Sequence, residues 1–134
     1  MYIDGVFSGG GIKGFALIGA YQAIEQKGYT FKRIAGTSAG SIISAFIIAG
    51  YTADEILKMM EEVDLKEFLD ERKTFLPFSL TKWMSLYWKL GLYKGVKLEE
   101  WLLTKLREKG ISTFADIPNG SLRVIASDLT NGRM

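Results

Sequence analysis

The pentapeptide Gly36-Thr37-Ser38-Ala39-Gly40 constrains the fold more than any other stretch of the chain. The apolar run from Tyr29 to Ala35 ahead of it reads as a strand, and Ala39 to about Ala49 behind it reads as a helix. A strand that turns directly into a helix at a serine flanked by glycines is the Gly-x-Ser-x-Gly elbow. The tight turn lifts the hydroxyl out of the path of the chain, and Gly36 and Gly40 are the elbow glycines. One strand and one helix upstream lies a second glycine motif, Gly9-Gly10-Gly11-Ile12-Lys13-Gly14. Its amides can converge on an anion beside the positive end of the helix that follows. A nucleophile needs a site for the oxyanion it creates, so each motif supplies what the other lacks.

Around these motifs the chain alternates between elements. A first strand starts near Tyr2 and ends at Ser8, and Phe15, Leu17, Ile18, Tyr21 and Ile24 then recur at helical spacing. That helix stops near Lys27-Gly28, a cation followed by a glycine. The helix after the elbow is apolar nearly all round, which marks it as a central, buried helix. Gly50-Tyr51-Thr52 breaks it, and Thr52-Ala53-Asp54-Glu55 opens the next with a capping box. From Asp64 to about Gly110 the pattern is helical, and Leu122 to Ser127 is the next strand. Strand, helix, strand, helix predicts an α/β fold of three layers, with a central, mainly parallel sheet and helices on both faces. No repeat or linker divides residues 1–134, so they form one domain or part of one.

Composition removes several chemistries. The chain contains no histidine, so the base for Ser38 is not the imidazole of a Ser-His-Asp triad. The absence of cysteine as well removes disulfides, thiol catalysis and most transition-metal sites; no metal or organic cofactor is expected. Seventeen basic side chains against 15 acidic ones argue against a nucleic-acid partner, which would need clustered phosphate contacts. The N-terminus lacks the basic and apolar regions of a signal peptide. The uncharged stretch from Ile34 to Ala53 approaches the length of a membrane span, but its first part is the elbow, so a core helix is the better reading. A cytoplasmic or peripheral membrane location is therefore expected.

Neither motif is decisive alone. The elbow pattern also suits a helix N-terminus at which Thr37 or Ser38 caps and the glycines permit close packing. Gly9, Gly11 and Gly14 satisfy the dinucleotide-binding Gly-x-Gly-x-x-Gly, yet the second strand ends without the carboxylate that would hold a ribose.

Taken together with Ala126-Ser127-Asp128-Leu129-Thr130-Asn131-Gly132, the two motifs resemble, in sequence and order, the patatin-like phospholipases. The resemblance implies a patatin-like α/β domain, with the chain corresponding to its front portion and truncated on the C-terminal side. It implies a lipid acyl-ester hydrolase that uses a serine and an aspartate, which agrees with the missing histidine. Ser38 would attack the acyl carbonyl, and the amides of Gly9, Gly10 and Gly11 would hold the oxyanion. Lys13 would brace the loop or meet a lipid phosphate, or is simply solvated. The family's aspartate sits in an Asp-Gly pair beyond the segment that resembles Ala126 to Gly132. The one Asp-Gly pair here is Asp4-Gly5, at the other end, and Asp128 matches a position ahead of the catalytic one. The base is thus expected after Met134, and these 134 residues alone are expected to have little activity. Two alternatives remain: a non-catalytic lipid- or membrane-binding module, and a dinucleotide-binding domain using Gly9 to Gly14.

Between Phe75 and Tyr93 aromatic and apolar residues crowd together, among them Trp83, Tyr87 and Trp88, with Lys82, Lys89 and Lys94 interspersed. Such a segment suits a membrane interface, although apolar residues all round a helix suit an ordinary packed layer better. The charges from Glu61 to Lys73 alternate in sign as solvated helix faces do.

Overall fold

The computed structural model describes residues 1–10, 14–61, 96–128 and 130–132. The chain divides into a unit built from Met1–Glu62 and Leu106–Met134 and a second unit, Val63–Lys105. The aromatic segment from Phe75 to Tyr93, and all but Glu61 of the charged run from Glu61 to Lys73, lie outside the described residues.

Three strands form the sheet of the first unit: β1 (Tyr2–Phe7), β2 (Thr30–Thr37) and β3 (Leu122–Ile125), all parallel and in the order β1-β2-β3. Helix α1 (Gly14–Gln26) joins β1 to β2, the crossover that a parallel pair requires. Helices α2 (Ala39–Ile48) and α3 (Ala53–Glu61) follow, and α4 (Val96–Glu108) precedes β3. The α/β architecture expected from the alternation of elements is the one observed.

β2 runs on to Thr37, past the expected end at Ala35, because Gly36 pairs with Phe7 and Thr37 with Ile125. The strand therefore delivers the chain to Ser38 with no intervening loop. β3 stops at Ile125 rather than Ser127. Between Ile3 and Asp4 the register with β2 shifts so that Lys32 is the extra residue, and Asp4 comes to lie opposite Arg33. Both Arg33 and Asp4 are exposed, and the guanidinium grips the carboxylate through Nε at 3.0 Å and through Nη2.

The other face of the sheet carries the core. Phe7, Ile34 and Gly36 are buried there, and the Phe7 and Phe31 rings meet edge to face with centroids 5.6 Å apart. α2 packs on all three strands and α1 packs on α2 and α3. No residue of α2 is exposed, and Ile43, Ser44 and Phe46 are at most 1% accessible, as expected of a helix apolar nearly all round. Its one buried hydroxyl is satisfied within the helix, Ser44 Oγ donating to the Gly40 carbonyl at 2.6 Å.

Helix ends follow the chemistry read from the sequence. Gly28 adopts φ 72° just past α1, where its amide donates to the Glu25 carbonyl and the Tyr29 amide to Ile24. Thr52 and Glu55 close the expected capping box: the Thr52 amide donates to Glu55 Oε2 at 2.7 Å and the Glu55 amide to Thr52 Oγ1 at 3.2 Å. A second box, Thr113 with Asp116, starts a short 3-10 turn (Phe114–Asp116) that sequence reading passed over.

Candidate active site

Ser38 is the single residue between β2 and α2. Its backbone lies at φ 51° and ψ −130°, and among the described residues it is the one non-glycine with positive φ. L-residues avoid this region at a cost of about 1–3 kcal/mol, and they persist in it when the surroundings over-determine the backbone. Here the surroundings are two parallel strands on one side and a buried helix on the other. The Ser38 carbonyl is also held, accepting from the Ser41 amide at 2.9 Å and from Ser41 Oγ at 2.5 Å. Ser38 occupies the N-cap position of α2, yet its side chain makes no capping hydrogen bond. The reading of this motif as an ordinary helix cap through Ser38 therefore does not hold. Its exposed hydroxyl is spent on no cap, on the N-terminal end of a buried helix whose dipole favours negative charge.

The elbow glycines act through space rather than through backbone freedom, since neither has positive φ. A Cβ at Gly36 would fall 2.6 Å from the Gly40 carbonyl oxygen and 2.7 Å from the Ser41 amide nitrogen. A Cβ at Gly40 would strike the Phe7 carbonyl oxygen and come within 2.6 Å of that of Ser8. Every one of these neighbours is backbone, so none can rotate away. The two glycines let the first turn of α2 lie directly on the ends of β1 and β2. The strain of the tight turn falls on the serine itself.

The same contact brings the first glycine motif to the elbow. Gly9 lies two residues beyond β1, where a Cβ would sit 2.8 Å from Ser38 Cβ and 3.4 Å from both the carbonyl oxygen and Oγ1 of Thr37. Its amide donates to Thr37 Oγ1 at 3.1 Å. Ser8, Gly9 and Gly10 are exposed, as is Ser38. Of the residues singled out from the sequence, Ser38, Gly36, Gly40 and Gly9 thus meet in one place; Gly11 and Lys13 lie outside the described residues.

Two carboxylates deserve comparison with the missing base. Asp4 is committed to Arg33, whose guanidinium holds its pKa below the ordinary carboxylate range. Asp128 accepts from Asn131 Nδ2 at 2.6 Å and from the amides of Thr130 and Asn131 at 3.0 and 3.1 Å. The Asn131 side chain foremost draws its pKa down as well. A carboxylate so engaged is a weak proton acceptor.

Sequence reading missed the role of Thr37 and Ser41. The signal was faint: two hydroxyl residues flanking the elbow serine, each of a type that bonds to nearby backbone.

A strained serine at a strand–helix junction, beside a glycine loop on a parallel sheet, defines the class of α/β proteins with a serine elbow. Comparison with known proteins narrows the class: the chain belongs to the patatin-like phospholipase family, whose model matches residues 5–133. It is 61% identical over all 134 residues to the uncharacterized protein YqhO of Bacillus subtilis. It is 36% identical over 105 residues to an uncharacterized protein, R571, of Acanthamoeba polyphaga mimivirus. Over 57 residues it is 37% identical to an uncharacterized NTE family protein of Mycobacterium tuberculosis, a match covering 42% of this chain and 10% of that protein. The matches cover 46% of the Bacillus relative and 33% of the viral one, and 100% and 76% of this chain. No solved structure matches the chain significantly. No helix among the described residues is long and apolar enough to cross a membrane.

Proposed function

We propose that this chain carries the nucleophile and the oxyanion loop of a lipid acyl-ester hydrolase of the phospholipase A or lysophospholipase kind. The observation that carries the reading is the conformation of Ser38, strained and exposed, with its hydroxyl left out of the helix cap and Gly9 so near that a Cβ there would fall 2.8 Å from Ser38 Cβ. Family membership supports a lipid hydrolase in general terms.

In this mechanism Ser38 Oγ attacks the acyl carbonyl carbon while an aspartate takes the hydroxyl proton. The carbonyl π pair moves onto oxygen, and loop amides together with the N-terminus of α2 stabilise that charge. Collapse of the tetrahedral intermediate expels the alcohol portion of the lipid, which receives the proton from the aspartate. Water then cleaves the acyl-serine by the same steps in reverse order. The aspartate is the one implied by the family resemblance, since the chain has no histidine to take its place. Gly10 and Gly11 are the proposed oxyanion donors, because the Gly9 amide already serves Thr37. Lys13 is proposed to meet the lipid phosphate. The substrate calls for contact with a bilayer or micelle surface.

Hydrolysis of a p-nitrophenyl ester and of phosphatidylcholine vesicles by the full-length protein tests the reading. Turnover that Ser38→Ala lowers by several powers of ten supports it. Vesicle binding without turnover points instead to a lipid-binding module. Turnover that survives Ser38→Ala overturns it.

A further inference from the structure

The glycine loop has to be held at a set height above Ser38 if its amides are to meet an oxyanion. Pairing between β1 and β2 stops at Phe7 and Gly36, two residues short of Gly9. Glycines resist no deformation of their own, so a run of them needs an external tether. The described residues contain one hydrogen bond from Gly9 to the elbow, the 3.1 Å bond from its amide to Thr37 Oγ1. Thr37 pairs with Ile125 through its backbone, so the acceptor stands on the central strand of the sheet. Its side chain is exposed, so packing does not demand a hydroxyl at this position.

We infer that Thr37 is a positioning residue for acyl transfer: its hydroxyl oxygen anchors the Gly9 amide, and that anchor sets the neighbouring Gly10 relative to Ser38. The inference rests on the hydrolase reading above and adds a residue to it. Gly9 then serves as the point of attachment, not as an oxyanion donor. Its lack of a side chain is what lets the loop come down onto Ser38 Cβ, where a methyl group would fall 2.8 Å away. The amide and the hydroxyl belong to different elements, the β1–α1 loop and the end of β2, so the bond also sets the spacing between nucleophile and oxyanion site. Loss of one oxyanion donor commonly costs about 100- to 1000-fold in kcat, and a misplacement near 1 Å about 100-fold. Losing the tether leaves the donors present but less well placed, so a loss of roughly 10- to 100-fold is expected.

The test compares Thr37→Val, which keeps the shape and removes the acceptor, with Thr37→Ser, which keeps the acceptor. Both are made in the full-length protein alongside Ser38→Ala and assayed on a p-nitrophenyl ester. Thr37→Val is expected to lower kcat about 10- to 100-fold with KM changed less than about threefold, and Thr37→Ser to recover most of the rate. If Thr37→Val does not fold, Thr37→Ala, which adds no bulk under the loop, takes its place with the same expectation. A kcat for Thr37→Val within twofold of the parent, or an equal loss in Thr37→Ser, overturns the role of Thr37 and leaves Ser38 as nucleophile. Activity that persists in Ser38→Ala overturns the hydrolase reading and the positioning role with it.

Discussion

The elbow and the seam between α1 and α3 are built from the same small set of backbone devices, and they use them to opposite ends. At the seam buried and half-buried polar groups find partners. Tyr21 Oη donates to the Tyr51 carbonyl at 3.0 Å, Tyr51 Oη to Glu108 at 3.2 Å, and the Ala53 amide to Glu25 at 2.8 Å. The Lys109 ammonium lies 4.3 Å from the centre of the Tyr51 ring and 3.4 Å from Glu55. At the elbow hydrogen bonds hold the Gly9 amide and the Ser38 carbonyl, the serine hydroxyl makes no cap bond, and the backbone is forced into a region it would not choose. The lesson is that one region stores stability and the other spends some of it to present a reactive group, as strained functional sites do.

Gly40→Ala should break the contrast most severely. The added methyl would meet the Phe7 and Ser8 carbonyls, which cannot move without disturbing β1, so a loss of about 3 kcal/mol or more is expected by chemical denaturation. An unchanged midpoint would mean that α2 does not sit on the strand ends. At the seam, Tyr21→Phe removes one buried hydrogen bond and should cost about 1–1.5 kcal/mol while leaving Ser38 reactivity intact. Replacing the strained serine sharpens the comparison from the other side. Ser38→Gly should be about 1 kcal/mol more stable than Ser38→Ala, since glycine relieves the strain that alanine retains. Equal stabilities would show that the positive φ costs nothing.

Ser121 Oγ is buried with no hydrogen-bond partner among the described residues, so Ser121→Ala should be neutral or stabilising by about 0.5 kcal/mol. The pH profile should show no change near neutrality and a decline at each end. Asp4, Glu55, Asp116 and Asp128 have pKa values held below the ordinary range, chiefly by Arg33, the Thr52 amide, the Ser112 amide and the Asn131 side chain respectively. Groups lowered in the folded state stabilise above their unfolded values and cease to do so as pH falls through the folded ones, so the acid decline begins below about pH 4. Burial, with Glu108 nearby, pushes Tyr51 from 10.0 to about 12, and burial with Glu25 raises Tyr21 too. Groups raised in the folded state give stability that is complete below the unfolded value, so the alkaline decline starts near pH 10. Thermal melts from pH 2 to 12 check both limbs.

Much of this was legible in the sequence, and the reasons are local. Strand period, the Lys27-Gly28 stop, the Thr52–Glu55 box and the apolar faces of α2 are short-range signals that tertiary contacts reinforced. So was the placement of Ser38 between a strand and a helix. The exact ends of β2 and β3 were not legible, because they depend on which residues of a neighbouring strand lie opposite. Nor was the use to which the elbow glycines are put: the pattern suggests flexible backbone, and only packing reveals that they are spacers. The Thr37–Gly9 bond spans 28 residues of sequence, a distance over which no local pattern carries information.

The central claim is that Ser38 is the reactive group of the site. Labelling of the full-length protein with a fluorophosphonate, followed by mass spectrometry of its peptides, tests this most directly. One adduct is expected, on Ser38, absent from Ser38→Ala and unaffected by added dinucleotide. No adduct, an adduct on another residue, or one that a dinucleotide protects would contradict it.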